Sequence, residues 1–167
     1  LQQLVDRRGP LSVERAVNYI SQTACGLQHA GEMGLVHRDI KPSNLMLDTL
    51  GTVKILDLGL ARISSRNLDT PSKGDSQIVL GTADYLAPEQ ARSSTVDIRA
   101  DIYGLGAVGY YLLTGHPPFD GGNVAQKLIR HQSEIPVPLH EVNPNIPVEL
   151  SAVFARMLAK NPQDRQN

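Results

Sequence analysis

Two short apolar runs, Leu45-Met46-Leu47 and Val53-Lys54-Ile55-Leu56, flank the group Asp48-Thr49-Leu50-Gly51, and this arrangement constrains the chain more than any other. Apolar runs of that length around a spacer rich in turn formers predict a small β-hairpin. The first strand of a hairpin begins where the second ends, so Asn44 and Asp57, which bracket the pair, emerge side by side. An amide oxygen and a carboxylate then face one point. Such a pair suits Mg²⁺, a hard ion that keeps several waters and takes its other ligands from one or two protein oxygens and from phosphates.

The remaining pattern is helical. From Ser12 to Met33, apolar residues at Val13, Ala16, Val17, Ile20, Ala24 and Leu27 recur at helical spacing, with Ser12 as N-cap and Gly34 as a stop. A second long helix is predicted from Ile98 to Leu113, closed by Gly115 and Pro117-Pro118. It is apolar on nearly every side, which assigns it to the core. Shorter helices are expected over Val124 to His131 and Val148 to Lys160, and Pro136, Pro138, Pro144 and Pro147 predict irregular structure between them. The fold class expected is mainly α with a small β-hairpin (α+β), with no internal repeat.

At 167 residues and 41% hydrophobic, the chain can bury one substantial core and reads as one globular unit. A net charge of −1 gives no general attraction to nucleic acid or anionic membrane. The single cysteine, Cys25, allows no internal disulfide; it is expected to be a buried, inert thiol in a reducing compartment. No run approaches the ~18 apolar residues of a membrane helix and no signal-peptide layout is present, so the expected location is the cytoplasm, including the cytosolic part of a membrane-anchored protein. The chain opens without Met at Leu1 and stops at Asn167, so both ends read as cuts through a longer protein.

The hairpin sits inside a longer constellation. His37-Arg38-Asp39-Ile40-Lys41-Pro42-Ser43-Asn44 precedes it and Asp57-Leu58-Gly59 follows it. Downstream come Gly81-Thr82-Ala83-Asp84-Tyr85-Leu86-Ala87-Pro88-Glu89-Gln90, then Asp101-Ile102-Tyr103-Gly104-Leu105-Gly106, then Asn161-Pro162-Gln163-Asp164-Arg165. The set resembles the protein kinases, whose catalytic loop reads H-R-D-L-x-x-x-N and whose metal segment reads D-F-G; here Ile40 replaces Leu and Leu58 replaces Phe. Residues 1–167 resemble the larger, C-terminal lobe of that domain, most like its bacterial members. Lys41, two residues after Asp39, resembles the serine/threonine-specific kinases.

The resemblance implies ATP and Mg²⁺ as cofactors and protein substrates with Ser or Thr acceptors as partners, and it is compatible with a kinase dimer phosphorylating itself in trans. By this likeness Asp39 orients the acceptor hydroxyl and takes its proton. Lys41 offsets charge on the transferring phosphoryl group, and the Thr82 hydroxyl bridges the two. Asn44 and Asp57 hold Mg²⁺, while Ser43 and Met46 stand on the nucleotide side, Met46 as the floor under adenine or as plain core packing. The polar segment from Arg62 to Gly81 has no helical or strand period and corresponds to the activation segment. Within it Ser76 is the expected activating phosphosite, and Arg38 with Arg62 forms the expected phosphate pocket. Glu89 and Arg165 correspond to a structural ion pair, and Asp101 to an acceptor for the backbone around His37 and Arg38. The other histidines, His29, His116, His131 and His140, are expected to be satisfied or exposed.

Nothing in the chain corresponds to the smaller N-terminal lobe: no Gly-x-Gly-x-x-Gly loop, no Val-Ala-x-Lys strand, no helix with the Glu that pairs with that Lys. Gly104-Leu105-Gly106 falls inside a predicted helix. Without a cover for the phosphates the segment alone is expected to be inactive. The alternative is a kinase-like lobe used as a protein-binding module; the presence of Asp39, Lys41, Asn44 and Asp57 together argues against it.

Overall fold

The computed structural model describes residues 1–57, 81–93 and 96–165. In chain order these form α1 (Gln2–Arg8), α2 (Val13–Glu32), β1 (Leu45–Leu47), β2 (Val53–Ile55), α3 (Ile98–Thr114), α4 (Val124–Ser133), α5 (Leu139–Val142) and α6 (Val148–Met157). Single 3₁₀ turns lie at Pro42–Asn44, Pro88–Ala91 and Pro162–Asp164. The architecture is mainly helical with one antiparallel hairpin, in the register Leu45 to Ile55, Met46 to Lys54 and Leu47 to Val53.

Helix α3 is the axis of the core. Every residue from Tyr103 to Leu113 is buried, as an all-apolar helix requires, and α2 and α6 both pack on it. The inward stripe of α2 is Ala16, Tyr19, Ile20, Thr23, Leu27 and Ala30, spaced three and four apart. Ser12 caps α2 by accepting from the Arg15 N–H at 3.4 Å, and Gly115, left-handed at φ 84, ends α3.

Gly104, Gly106 and Gly109 repeat the spacing of a phosphate-binding loop, yet they lie within α3 and serve packing. A methyl group at Gly104 would stand 3.1 Å from the Ile40 carbonyl oxygen, and one at Gly109 only 2.0 Å from the Phe154 ring. Bare backbone at these points lets the segment bearing Asp39 lie against one part of α3 and α6 against another.

Three expectations need correction. Cys25 is exposed: with Thr23 and Leu27 on the inward stripe of α2, the residue midway between them turns outward. The proline-rich stretch holds a helical turn, α5, because Pro138 occupies its N-cap, where a missing N–H costs nothing. Helix α6 stops at Met157, short of Lys160, and α1 was not anticipated.

Candidate active site

Asp39 lies on the segment between α2 and the Pro42–Asn44 turn, and its surroundings are set by hydrogen bonds from three directions. Asp101, buried near the start of α3, accepts from the backbone N–H groups of His37 at 2.8 Å and Arg38 at 2.7 Å. Burial pushes the Asp101 carboxyl above its usual range, while those two N–H groups and the charge of Arg38 oppose the shift. Arg38 is held in the left-handed region at φ 69, and its carbonyl accepts from Gln90 Nε2 at 2.7 Å. For a residue with a long side chain that conformation costs on the order of 1 kcal/mol, so the clamp from Asp101 and Gln90 is what keeps it there.

His37, also buried, joins this segment to the end of the hairpin. Its Nε2 lies 2.7 Å from the Leu56 carbonyl, which can only accept, so Nε2 carries the proton. Nδ1 is then free to accept from the Asp39 N–H at 3.2 Å. The residue after Leu56 is Asp57, exposed and left-handed at φ 60.

Four side chains converge. Lys41 Nζ lies 2.7 Å from Asp39 Oδ2 and donates to Thr82 Oγ1 at 2.9 Å. Asn44 Nδ2 donates to Asp39 Oδ2 at 3.0 Å and to the Asp39 carbonyl at 2.8 Å. Because both partners of Asn44 accept, its amide nitrogen faces Asp39 and its oxygen faces away. The link between Asp39 and Thr82 is thus Lys41, rather than the threonine hydroxyl expected from sequence.

Asn44 and Asp57 emerge together, with the Leu56 N–H donating to the Asn44 carbonyl at 2.8 Å. An amide oxygen and an exposed carboxylate are hard donors that fit Mg²⁺ shared with phosphates. Among the described residues no group of three or more His, Cys, Asp or Glu forms a self-contained metal site. Met46 points out from β1, 50% exposed, and lines a cavity of about 600 Å³ with Ser43, Leu45, Leu47, Leu56 and α1. Core packing is therefore not its role among the described residues.

Glu89 and Arg165 meet as expected, 2.5 Å apart, with the Arg165 side chain fully buried. His29 is exposed, His116 and His140 have ring partners, and His131 is buried with Nδ1 2.7 Å from the Tyr103 hydroxyl. Ser76 and Arg62 lie outside the described residues. Sequence reasoning missed Gln90, whose side chain holds both Arg38 and the Ala87 N–H, and the pair formed by Asp84 and Lys127. Gln90 carries one local signal, a Gln at the third position of a turn opened by proline, where it reaches back to the Ala87 N–H; the Asp84 pair carries none.

The protein kinase domain family matches residues 1–167, the whole chain. The chain belongs to this family. The chain is 39% identical over 165 residues to the serine/threonine-protein kinase PknB of Mycobacterium leprae, covering 99% of this chain and 26% of that protein. It is 38% identical to the probable serine/threonine-protein kinase PknB of Bifidobacterium longum, covering 99% of this chain and 24% of that protein. The chain thus spans about a quarter of the length of the curated relatives it matches. No described helix is long and apolar enough to cross a membrane.

Proposed function

We propose that residues 1–167 are the C-terminal lobe of a serine/threonine kinase that transfers the γ-phosphoryl group of ATP to Ser or Thr hydroxyls of proteins. The observation that carries this reading is the meeting of Asp39, Lys41, Thr82 and Asn44 in one hydrogen-bonded group beside the exposed Asp57.

Asp39 Oδ2 is occupied by Lys41 and Asn44, while Oδ1 has no partner among the described residues. That oxygen is positioned to orient the acceptor hydroxyl and take its proton as the new P–O bond forms. Lys41, steered by Thr82, places positive charge beside the oxygens of the phosphoryl group in transit, a contribution made by positioning alone. Asn44 Oδ1 and the Asp57 carboxylate would hold Mg²⁺, which when bound neutralises phosphate charge. Met46 and Ser43 face the cavity on the hairpin side and would meet the nucleotide base and sugar.

The phosphates need cover from a second lobe that these residues do not include, so residues 1–167 expressed alone are expected to transfer nothing above a blank. The full-length chain containing them, incubated with γ-labelled ATP and a protein acceptor, should label Ser or Thr. Label on Tyr only, or none, would overturn the reading, and acceptor binding without transfer would favour a docking module instead.

A further inference from the structure

A second buried charge pair lies beside the site and has no part in the chemistry above. Asp84 stands two residues after Thr82, and Lys127 projects from α4; their side chains are only 15% and 8% exposed, with Lys127 Nζ 2.5 Å from Asp84 Oδ1. The contact joins a carboxylate oxygen to an ammonium group that is itself almost wholly out of water. Burial raises the Asp84 carboxyl pKa, with Lys127 pulling it down and Asp120 adding to the rise. A buried lysine is costly wherever packing alone is needed, since an apolar side chain of similar length fills the same space without desolvating a charge.

The segment that carries Asp84 hangs between the site and α4. At one end Thr82 accepts from Lys41; at the other Tyr85 packs edge-on against Tyr111 of α3, ring centroids 6.4 Å apart, and the Ala87 N–H is capped by Gln90. One turn beyond Lys127, His131 sits against the same segment and beneath Phe119, centroids 4.9 Å apart. Thr82, in this segment, is the partner of Lys41 beside Asp39, whereas among the described residues none of 81–87 lines the cavity of Ser43, Met46 and Leu56. Displacing Asp84 therefore disturbs the acceptor side of Asp39 and leaves the hairpin side alone.

We propose that the Asp84–Lys127 pair is a positioning element for the protein acceptor, tying the Thr82–Leu86 segment to α4 at a fixed height beside Asp39. The inference rests on the phosphotransferase reading and adds to it a determinant of acceptor capture. Neither residue is a catalytic residue, and both act through the segment they hold.

The test uses the full-length chain with Lys127→Met, Lys127→Arg and the charge-swapped pair Asp84→Lys with Lys127→Asp. Lys127→Met should raise KM for a protein acceptor about tenfold, leave KM for ATP within about twofold, and speed amide exchange over residues 81–87 about tenfold while residues 37–44 keep their protection. Lys127→Arg, or the swapped pair, should return acceptor KM and exchange at least halfway to wild type. An unchanged acceptor KM in Lys127→Met, a parallel rise in KM for ATP, or no recovery in either rescue variant would each overturn the proposal. A wild-type chain that transfers no phosphate overturns the phosphotransferase reading itself, and the exchange data then show whether the tie exists without it.

Discussion

Arg165→Met removes a cation from a pocket built wholly around it. The side chain has no exposure; Nη1 lies 2.5 Å from Glu89 Oε1 and 2.8 Å from the Arg99 carbonyl, Nη2 lies 2.9 Å from Glu89 Oε2, and Nε donates to the Ala159 carbonyl at 2.8 Å. Its guanidinium also stands 4.8 Å from the centroid of the Tyr103 ring. Removing one partner of a buried pair costs about 3–5 kcal/mol. Because Glu89 keeps 19% exposure, water recovers part of that, which places the charge penalty near the lower figure. The carbonyls of Arg99, Ala159 and Lys160 each lose a donor, which adds about 1 kcal/mol after local relaxation. The sum is about 4 kcal/mol, equivalent to a fall in Tm of roughly 8–16 °C for a domain of this size. Urea unfolding should show a lower midpoint with an unchanged slope. Glu89→Leu combined with Arg165→Met should be less destabilised than Arg165→Met alone, since no charge is then stranded. A loss under about 1 kcal/mol, or a double variant worse than the single by the full cost of Glu89→Leu, would refute the argument.

His131 has its pKa lowered to about 4, first by burial and then by Lys160, with the Asp84 main chain opposing and Arg130 and Lys127 adding to the fall. Its neutral form is favoured by the fold, so the stability it contributes is whole above pH 6.5 and is lost as pH falls towards 4, by about 3 kcal/mol in all; urea titrations of wild type minus His131→Gln should isolate that slope from the opposite one due to the raised carboxyls Asp84 and Asp101, and a flat difference would contradict it. Gly109→Ala forces a methyl into the Phe154 ring and should cost about 1–3 kcal/mol by thermal unfolding, relieved in part by Phe154→Leu; no cost would mean α6 shifts freely on α3. In the full-length chain Ser76→Ala should lower transfer, and Arg38→Ala should make that variant no worse; strictly additive losses would separate the two residues.

Much of this arrangement was legible from spacing. The three-and-four stripe of α2 and the unbroken apolar run of α3 each carry one period that only one packing satisfies, and the turn at Asp48 to Gly51 sets the hairpin that brings Asn44 to Asp57. Residue type misled where phase decided, as at Cys25, which shares a helix with the core stripe but not its face. The bridge through Lys41 depended on rotamers, and Asp84 with Lys127 on the docking of α4 against a segment far away in sequence. Neither has a periodic signature, because each depends on tertiary placement rather than on local pattern.

Whether Asp39 orients the acceptor and takes its proton is read from single-turnover transfer at saturating ATP and Mg²⁺. In the full-length chain, Asp39→Asn keeps an oxygen for the hydroxyl and a group for Asn44 but loses the charge and the proton acceptor. The rate of phosphoryl transfer should fall by about 10²–10⁴-fold with ATP affinity changed less than about twofold. A variant that transfers phosphate within about threefold of wild type would strip Asp39 of that role, since no other carboxylate among the described residues stands in that group with Lys41, Asn44 and Thr82.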